Sequence, residues 1–538
     1  MPRSVRTPGR VATVLAVAAT CLTSVPGLPG VPTASAARAA GAAGAAPRDA
    51  ALTPAQRATL LKYGRDAWHA LTAMVDEKTG LPDDNIGGAL DPASRGGYTS
   101  PTNIGAYLWS TVVARDTGII GAGEAYRRMA ATLRTMSGAG RHAASGMFYN
   151  WYAPTTGAVL HTWPPDGSAL TPFLSSVDNG WFAAALMVVE NAEPRLRAAA
   201  GALLAPMDFG FSYDPQGRGP DVPAGLLRGG FWDTEPAGCS VKDNYLGRGP
   251  DVWYTCNLYD ILNTEPRIAS YIGIARGQLP RAHYFAPNRT FPPTCDWGWL
   301  EQQPVGFQTS YLGVPVFEGA YRYAGLQFVP TWGGDMFEAL MPDLFVPEED
   351  WAPHSWGVNH PAYVRGQIVH GLADAKYGYW GFSPASNPTG GYSAWGVEAM
   401  GMDPAGYPSD LEQTNVDPGF GDCRPAQPPP ASYGDGVVTP HAAFLALPFA
   451  PAEALRDLAR LRADFPGLYG PGGFKDAIAV RSGRVADRYL SLDQGMIMGA
   501  LGNALRSDAI RRYFVRGDVE RVIRPLLGIE AFNARPPA

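Results

Sequence analysis

The segment TWGGDMFEALMP at residues 331–342 combines an aromatic side chain with two carboxylic acids. Trp332 and two glycines predict a loop that can approach a ligand closely, and Asp335 and Glu338 follow on one face of a predicted helix. An aromatic ring binds the apolar face of a sugar, and a carboxyl group transfers a proton or stabilises an oxocarbenium ion. The segment therefore predicts a carbohydrate-cleaving site, and for Asp335 a helix cap is an equally good interpretation.

Cleavage of a glycosidic bond usually needs two carboxyl groups, and Glu338 and Asp178 are the candidate catalytic pair. Glu338 has apolar neighbours along the predicted helix, so burial is expected to raise its pKa and keep a proton available near neutral pH. Asp178 stands where a loop enters an apolar helix, a position that suits a rim site and an N-cap equally. The reserve candidates are Asp335, Glu318 and Asp493.

Sugar binding calls for aromatic platforms and for side chains that hydrogen-bond to hydroxyl groups. Ordinary core packing is the alternative role for each tryptophan, a surface ion pair for the arginine, and a helix cap for Asp493. The candidate substrate-binding residues are Trp181, Trp232, Trp332, Asp335, Arg365, Trp380, Trp395, Asp493 and Gln494.

The sequence predicts no cofactor and no metal site. The eight histidines show no HExxH motif or comparable ligand spacing. Acidic residues at 233–251 leave a calcium loop open as an alternative, without the pattern of an EF-hand. The sequence also lacks a G-x-S-x-G motif, so a serine esterase or protease is unsupported.

The start of the chain predicts export. Three arginines in the first ten residues precede an apolar run at 11–22 that is too short to span a bilayer, and Ala-Ser-Ala ends at Ala36. This is the pattern of a Sec signal peptide, so we expect a secreted, extracellular protein. The predicted organisation is a signal peptide at 1–36, a flexible Ala/Gly-rich leader at 37–50, and a single catalytic domain at 51–538 with a loop-rich insertion at about 207–307.

Four cysteines follow the predicted signal peptide, and an even number in an exported protein predicts two disulfides. Three connectivities are possible. Cys239 with Cys256 and Cys295 with Cys423 is the preferred pairing, because the first bridge closes a short loop. A zinc site built from all four cysteines is the alternative, although the sequence contains no C-x2-C pair.

The charge and hydropathy pattern limits which classes of binding partner are expected. The net charge of −6 is mild and no basic block is present, so neither nucleic acid nor an anionic membrane is expected as a partner. No second apolar run is long enough to predict a membrane span after signal removal. We therefore expect a monomer whose partner is a polysaccharide or oligosaccharide substrate.

About a dozen segments show the apolar spacing of helices, while strand signals are short and scattered. Paired helices in one large domain predict an all-α fold, a closed (α/α)6 toroid whose long Gly/Pro/Trp-rich loops lie at one rim. A solenoid is the alternative, but no sequence repeat is detectable. The predicted helices are residues 54–76, 102–117, 124–136, 179–190, 193–204, 253–276, 317–323, 335–341, 363–377, 440–447, 452–461, 493–505 and 508–522.

Five segments resemble motifs of a known family, in the same order along the chain. TSPTNIGAYL at 99–108 resembles TSPTNIGLYL in the glucoamylase-like part of cyclic β-1,2-glucan synthases. The segment at 331–342 resembles the W-x-G-x-M-F-E-x-L-M-P motif of those proteins and of glycoside hydrolase family 144. Three further segments resemble motifs of the same family: YWGFSPAS at 379–386, GVVTPHAA at 436–443 and YLSLDQG at 489–495.

This resemblance implies an (α/α)6 toroid that acts on β-glucans and, as in family 144, an inverting endo-β-1,2-glucanase. Ser383 and Pro384 depart from the family pattern, and the long segment at about 207–307 is absent from it, so the sugar and its linkage stay open.

Three functions are carried forward. The first is an inverting glycoside hydrolase acting on a β-glucan or related polysaccharide. The second is a retaining transglycosylase on β-glucans, and the third is a non-catalytic glycan-binding envelope protein.

Overall fold

The computed structural model describes residues 52–293, 300–402 and 433–535. Over these residues, no helix combines the length and the apolar character that crossing a membrane requires. Most of the regular structure is helical. The α-helices are α1 Pro54–Met74, α2 Pro101–Asp116, α3 Ala122–Gly138, α4 Ser176–Ala192, α5 Arg197–Leu204, α6 Arg267–Ala275, α7 Met336–Leu340, α8 Glu348–Trp351, α9 Trp356–Val369, α10 Pro440–Leu445, α11 Pro451–Asp464, α12 Ser491–Leu505, α13 Ala509–Phe514 and α14 Asp518–Leu527.

Six of these helices form a closed inner ring. Helix α2 packs against α4, α4 against α6, α7 against α10, α10 against α12, and α12 packs back against α2. Arg267 joins α6 to α7, because its guanidinium donates to the backbone carbonyls of Glu338 at 2.8 Å and Ala339 at 2.6 Å. Helices α1, α3, α5, α9, α11 and α14 lie outside the ring and pack against it. The predicted (α/α)6 toroid is confirmed.

Position in the ring explains the composition of each helix. Inner helix α2 buries every residue from Pro101 to Ala114, whereas outer helix α3 buries one stripe and exposes its other face. Helix α2 also begins sharply, because Ser100 accepts a hydrogen bond from the backbone N–H of Asn103 and Pro101 occupies the first helical position. The inner helices therefore present well-defined first turns to one rim.

Short strands punctuate the loops between helices. The largest sheet has the antiparallel order β2-β5-β7-β6, in which Phe231 lies opposite Leu174 and Tyr254. The strands are β1 Asn85–Gly87, β2 Leu174–Ser175, β3 Tyr213–Asp214, β4 Leu226–Leu227, β5 Gly230–Trp232, β6 Ser240–Asp243, β7 Val252–Thr255, β8 Gln308–Tyr311, β9 Val314–Phe317, β10 Tyr321–Tyr323, β11 Leu326–Phe328, β12 Ala385–Ser386, β13 Tyr392–Ser393, β14 Val437–Val438, β15 Tyr469–Gly470, β16 Gly473–Phe474, β17 Ala477–Ala479, β18 Arg484–Ala486 and β19 Arg488–Leu490.

One disulfide staples this largest sheet. Cys239 and Cys256 are bonded and flank the β6–β7 pair, with 5.7 Å between their Cα atoms. The preferred pairing of these two residues is therefore confirmed, and the four-cysteine zinc site is wrong. Cys295 and Cys423 lie outside the described residues, as does the predicted signal peptide.

Two predicted helices are wrong. Residues 253–276 contain strand β7, an irregular segment and then α6, because the alternation of Val252-Trp-Tyr-Thr favours a strand. Residues 317–323 contribute to β9 and β10 instead of a helix. The first difference matters more, since α6 belongs to the inner ring although it lies inside the segment predicted to be an insertion.

Glu318, a reserve catalytic candidate, lies in a buried charge cluster that ties the C-terminal segment to the domain. Arg289 forms an ion pair with Glu530, and Tyr284 donates to Glu530 at 2.8 Å. Burial raises the pKa of Glu318 to about 8, with Arg289 opposing the shift and the neighbouring Glu530 adding to it. Two carboxyl groups beside one arginine therefore favour one retained proton.

We expect Glu318→Gln to reduce the loss of stability in alkaline solution. The raised pKa means that the folded protein holds a proton the unfolded chain has lost, so this contribution is complete below about pH 4.5 and is lost as the pH rises through about 8. The amide keeps the neutral form at every pH.

Melting temperatures at about pH 5 and about pH 9 test this expectation. The fall in Tm between the two pH values should be smaller in Glu318→Gln than in the wild-type protein. The difference between the two proteins should correspond to more than about 1 kcal/mol of stability, since one pKa unit corresponds to about 1.4 kcal/mol. An equal fall in both proteins would contradict the shared-proton interpretation.

Candidate active site

Carboxyl groups converge where the first turns of the inner helices meet. Asp178 lies in the first turn of α4, Glu265 just before α6, and Asp335 and Glu338 at the start of α7. The structure therefore brings together both members of the predicted catalytic pair and adds Glu265, which the sequence did not single out.

Glu265 and Glu338 are directly connected. Glu338 Oε2 accepts a hydrogen bond from the backbone N–H of Glu265 at 2.7 Å, and Glu265 Oε2 accepts one from the indole N–H of Trp181 at 2.6 Å. Burial and then the Glu338 carboxylate raise the pKa of Glu265 well above its usual range. Burial also raises the pKa of Glu338 to about 7, although the Glu265 N–H and Arg267 both lower it. Of the two, Glu265 is the better proton carrier.

Asp335 caps the helix that carries Glu338. Its Oδ1 accepts a hydrogen bond from the backbone N–H of Glu338 at 2.8 Å, and its own N–H donates to Thr331 Oγ1 at 3.0 Å. The side chain is fully buried, and burial followed by the charge of Glu338 raises its pKa well above the usual range. The cap interpretation is confirmed for Asp335, which positions Glu338.

Asp178 is free of the capping role. Ser175 caps α4, because its Oγ accepts the hydrogen bond from the Asp178 backbone N–H at 3.1 Å. The Asp178 carboxylate instead accepts hydrogen bonds from Thr102 Oγ1 at 2.6 Å and Asn150 Nδ2 at 3.1 Å. Two donors orient a partly exposed carboxylate at the rim, an arrangement suited to accepting a proton from water.

Tyr259 lies close enough to the cluster to be affected by its charges. It is half-buried, and burial followed by the charges of Glu265, Asp178 and Glu338 raises its pKa well above the usual range. The charges of all three carboxyl groups therefore act on one phenol, and its neutral hydroxyl can donate a hydrogen bond to one of them.

A second acidic cluster joins α10, α12 and strand β17. His441 Nδ1 lies 3.2 Å from Asp493 Oδ2, and the backbone N–H of Ser386 donates to Asp476 Oδ2 at 2.5 Å. Burial raises the pKa of Asp493 to about 7. Burial, followed by the nearby Asp493, raises the pKa of Asp476 well above its usual range. Burial lowers the pKa of His441 to about 4, so this histidine is neutral near neutral pH.

Asp84 connects this cluster to α2. Its carboxylate accepts hydrogen bonds from Asn103 Nδ2 at 2.8 Å and Asn85 Nδ2 at 2.9 Å, and its backbone carbonyl accepts one from Ser491 at the start of α12. Asn103 follows Thr102, which holds Asp178. The two acidic clusters therefore flank one helix terminus.

The predicted sugar-binding residues separate by burial. Trp181 and Trp380 are packed in the interior, because inner-ring and adjoining segments bury aromatic rings on all sides, and neither is an exposed platform. Asp493 and Gln494 are buried as well, and Gln494 Nε2 donates to the Phe474 carbonyl at 3.1 Å.

The remaining candidates reach solvent or a cavity. Trp332 and Trp232 are partly exposed, and Trp232 packs against Phe173 with 4.7 Å between ring centroids. Arg365 is exposed on outer helix α9, and Trp395 is buried in a small apolar cluster separate from the main core. Trp332 and Trp232 are therefore the accessible rings among the predicted platforms.

The sequence missed Glu265 for an identifiable reason. The prediction placed residues 253–276 in one helix, whereas Glu265 stands directly before Pro266 at the true helix start. Proline is favoured in the first turn of a helix, so Thr-Glu-Pro was the available signal for a carboxyl at a loop-to-helix junction. Asp178 and Asp335 occupy equivalent junctions in α4 and α7.

Among the described residues, one trio has metal-ligand spacing. Ligand atoms of Asp343, Glu348 and His360 lie within 4.8 Å of one another, all buried. Arg267 pairs with Glu348 at 2.7 Å, however, and Arg511 pairs with Asp343 at 2.5 Å. These arginines already supply the opposite charge, so the trio is part of a buried ion-pair network.

Comparison with known proteins agrees with this architecture. A family model described as "Putative glucoamylase" matches residues 309–517. The cyclic beta-(1,2)-glucan synthase NdvB of Rhizobium meliloti is 25% identical over 322 residues, which cover 57% of this chain and 8% of that protein. The chain thus corresponds to a small part of that relative.

Solved structures share the whole fold. An endo-beta-1,2-glucanase from Chitinophaga pinensis superposes with a TM-score of 0.57 at 15% identity, covering 87% of this chain and 98% of that one. An endo-beta-1,2-glucanase from Talaromyces funiculosus, in complex with sophorose, superposes with a TM-score of 0.58 at 14% identity, covering 90% and 91%. The chain has the same (α/α)6 fold as these proteins. The resemblance predicted from its motifs is confirmed, and four of the five motifs lie within residues 309–517.

We expect Ser175→Ala and Asp178→Asn to differ in stability. Ser175→Ala removes the α4 cap and should cost about 1 kcal/mol, whereas Asp178→Asn leaves the cap intact. Asn150 Oδ1 is buried without a partner among the described atoms, so rotation of that amide accommodates an amide at 178. Chemical denaturation measures both, and a larger loss in Asp178→Asn would show that the carboxylate is structural.

Proposed function

We propose that this protein is a glycoside hydrolase that cleaves a β-glucan, with β-1,2-glucan as the first substrate to test. The observation that carries the proposal is the connected pair Glu265 and Glu338 together with the oriented carboxylate of Asp178, whose charge adds to the raised pKa of Glu265. Carboxyl groups held in different environments are the arrangement that glycoside hydrolysis uses. Two superposed structures of the same fold are described as endo-beta-1,2-glucanases, which supports the choice of substrate.

Glu265 is the proposed proton donor. It is more exposed than Glu338, and the Glu338 charge beneath it favours retention of its proton. The Trp181 indole holds Oε2, which leaves the other oxygen to face the leaving group. Glu338, the sequence-based candidate, is then the residue that keeps Glu265 protonated. A direct catalytic role for Glu338 is the competing assignment, and the variants below separate the two.

Asp178 is the proposed general base. Thr102 and Asn150 hold its carboxylate, so it can draw a proton from water as the water attacks the anomeric carbon. Attack from the face opposite the proton donor inverts the configuration of that carbon. Trp332 and Trp232 are the proposed stacking platforms, and export by the N-terminal signal would bring the enzyme to its polymeric substrate.

Transfer of glucan chains is the second candidate function. It is favoured by the similarity to part of a cyclic beta-(1,2)-glucan synthase, whose name describes synthesis and not hydrolysis. A transglycosylase would regroup chains without raising the number of reducing ends. A glycan-binding protein would leave the chains unchanged.

The first test is release of reducing ends from β-1,2-glucan. Wild-type protein should release them, and Glu265→Gln should lower kcat by about 10²–10⁴, because the amide keeps the shape and removes the transferable proton. Glu318→Gln is the matched control, a buried glutamate outside the ring whose change should leave kcat unaltered. Near-wild-type kcat in Glu265→Gln would reject this assignment.

Glu338→Gln distinguishes a positioning role from a catalytic one. Removing the Glu338 charge should lower the pKa of Glu265, since that charge helps to raise it. The donor must be protonated, so the alkaline limb of the kcat/KM profile should move to lower pH while substantial activity remains at acidic pH. Loss of activity at every pH, with an unchanged melting temperature, would instead assign the proton transfer to Glu338.

Stereochemistry tests the inverting mechanism separately. Proton NMR of fresh reactions should show the α-anomer appearing first from a β-linked substrate, followed by mutarotation. Initial formation of the β-anomer, or longer chains without new reducing ends, would favour the retaining transglycosylase.

A further inference from the structure

A cavity lies beside the ring, apart from the carboxyl groups proposed for catalysis. It encloses about 200 Å³, and its wall includes Asn387, Thr389, Trp395, Asp435, Ala479 and Arg484. The wall is formed by the β12–β13 turn, the segment entering β14, and the edge of the β17–β18 pair. None of the carboxyl groups proposed for catalysis contributes to it.

Trp395 gives this cavity a specific unmet interaction. Its ring is 6% exposed and packs in a small apolar cluster with Ala385, Ala477 and Ala479. Its indole Nε1 is buried and has no hydrogen-bond partner among the described atoms. Buried donors are almost always paired, so a ligand oxygen in the cavity would supply the missing acceptor.

The other polar groups favour a neutral, hydroxyl-rich ligand. Arg484 brings an exposed positive charge and Asp435 a negative one, so the wall carries no net charge from this pair. Ser482 partly satisfies the Asp435 carboxylate through its backbone N–H at 2.7 Å and its hydroxyl at 2.5 Å. Asn387 adds an amide. Donors and acceptors mixed around one aromatic ring fit sugar hydroxyls better than a phosphate or a cation.

The cavity is also close to the second acidic cluster. Asp476 precedes β17 and Ala479 ends it, and three residues of strand span about 10 Å. Strand β12 connects the same two places, because Ser386 donates to Asp476 and the next residue, Asn387, lines the cavity. A glucan chain that runs from the catalytic carboxyl groups past the second acidic cluster, which flanks the same start of α2, could therefore extend to this cavity.

We propose that the cavity binds one sugar residue of an extended glucan chain, away from the cleavage point. The volume is below the about 300–1,000 Å³ of pockets that hold drug-sized ligands, which fits a single residue and not an oligosaccharide. The choice of glucan as ligand rests on the function proposed above. The bound residue would place a hydroxyl oxygen on the indole N–H of Trp395 and further hydroxyls against Arg484 and Asn387.

The test compares chain lengths by calorimetry in a Glu265→Gln background, so that no chain is consumed. Sophorose and longer β-1,2-gluco-oligosaccharides are titrated into this protein and into versions that also carry Arg484→Ala or Trp395→Phe. Trp395→Phe keeps an aromatic ring and removes the N–H donor. Arg512→Ala, which removes an exposed arginine of α13 outside the cavity, is the matched control.

Long chains should bind about tenfold more weakly to the Arg484→Ala and Trp395→Phe versions, the effect of about one lost hydrogen bond, while sophorose binding and the control stay unchanged. Equal affinity of the long chains for the parent and the Arg484→Ala protein would overturn the proposal. An equal loss of affinity for all ligands in the Trp395→Phe protein would indicate altered packing. In that case the affinity of the Arg484→Ala protein for long chains decides whether the cavity binds a sugar residue.

The two proposals fail in different ways. Absence of reducing-end release by the wild-type protein counts against hydrolysis, whereas the calorimetry involves no turnover. If no chain length binds the Glu265→Gln protein, the glucan substrate class fails, and the cavity proposal with it. If chains bind but ignore both cavity variants, the cavity proposal alone fails.

Discussion

The buried guanidinium of Arg267 is the interaction on which the site depends. It forms a paired contact with Glu348 at 2.7 and 2.9 Å and donates to the carbonyls of Thr264, Glu338 and Ala339. A charge removed from water in this way is tolerated only when its donors are satisfied, so α6, α7 and α8 are held in one relative position. That position sets the hydrogen bond between the Glu265 backbone and the Glu338 carboxylate.

An excess of acid at the mouth of the ring follows from this geometry. Several carboxyl groups lie together in a poorly solvated region, where like charges repel strongly and burial disfavours ionisation. The raised pKa values of Glu265, Asp335 and Glu338 are therefore consequences of one arrangement. Carboxyl groups with raised pKa values keep their protons near neutral pH, which is what a general acid requires.

Contacts between neighbouring helix starts extend this arrangement around the rim. Thr102 of α2 holds Asp178 of α4, and His441 of α10 lies beside Asp493 of α12. Each polar first turn is thus supported by the helix next to it, while the remainder of the inner helices is buried and apolar. The polar groups of the site lie at one end of the inner helices and the stabilising apolar core lies along the rest, so substitutions at the rim need not disturb the core.

The sequence by itself determined the fold class, because helical periodicity and long loops rich in Gly, Pro and Trp are local properties. The motif at 331–342 likewise identified Glu338, the loop-to-helix junction identified Asp178, and both lie at the rim. Tertiary structure decided what local pattern could not: that Ser175 caps α4, that Trp181 holds a carboxyl group, and that Glu265 joins the cluster. Those roles arise from contacts between residues far apart in the chain, and burial by distant segments fixes which acid keeps its proton.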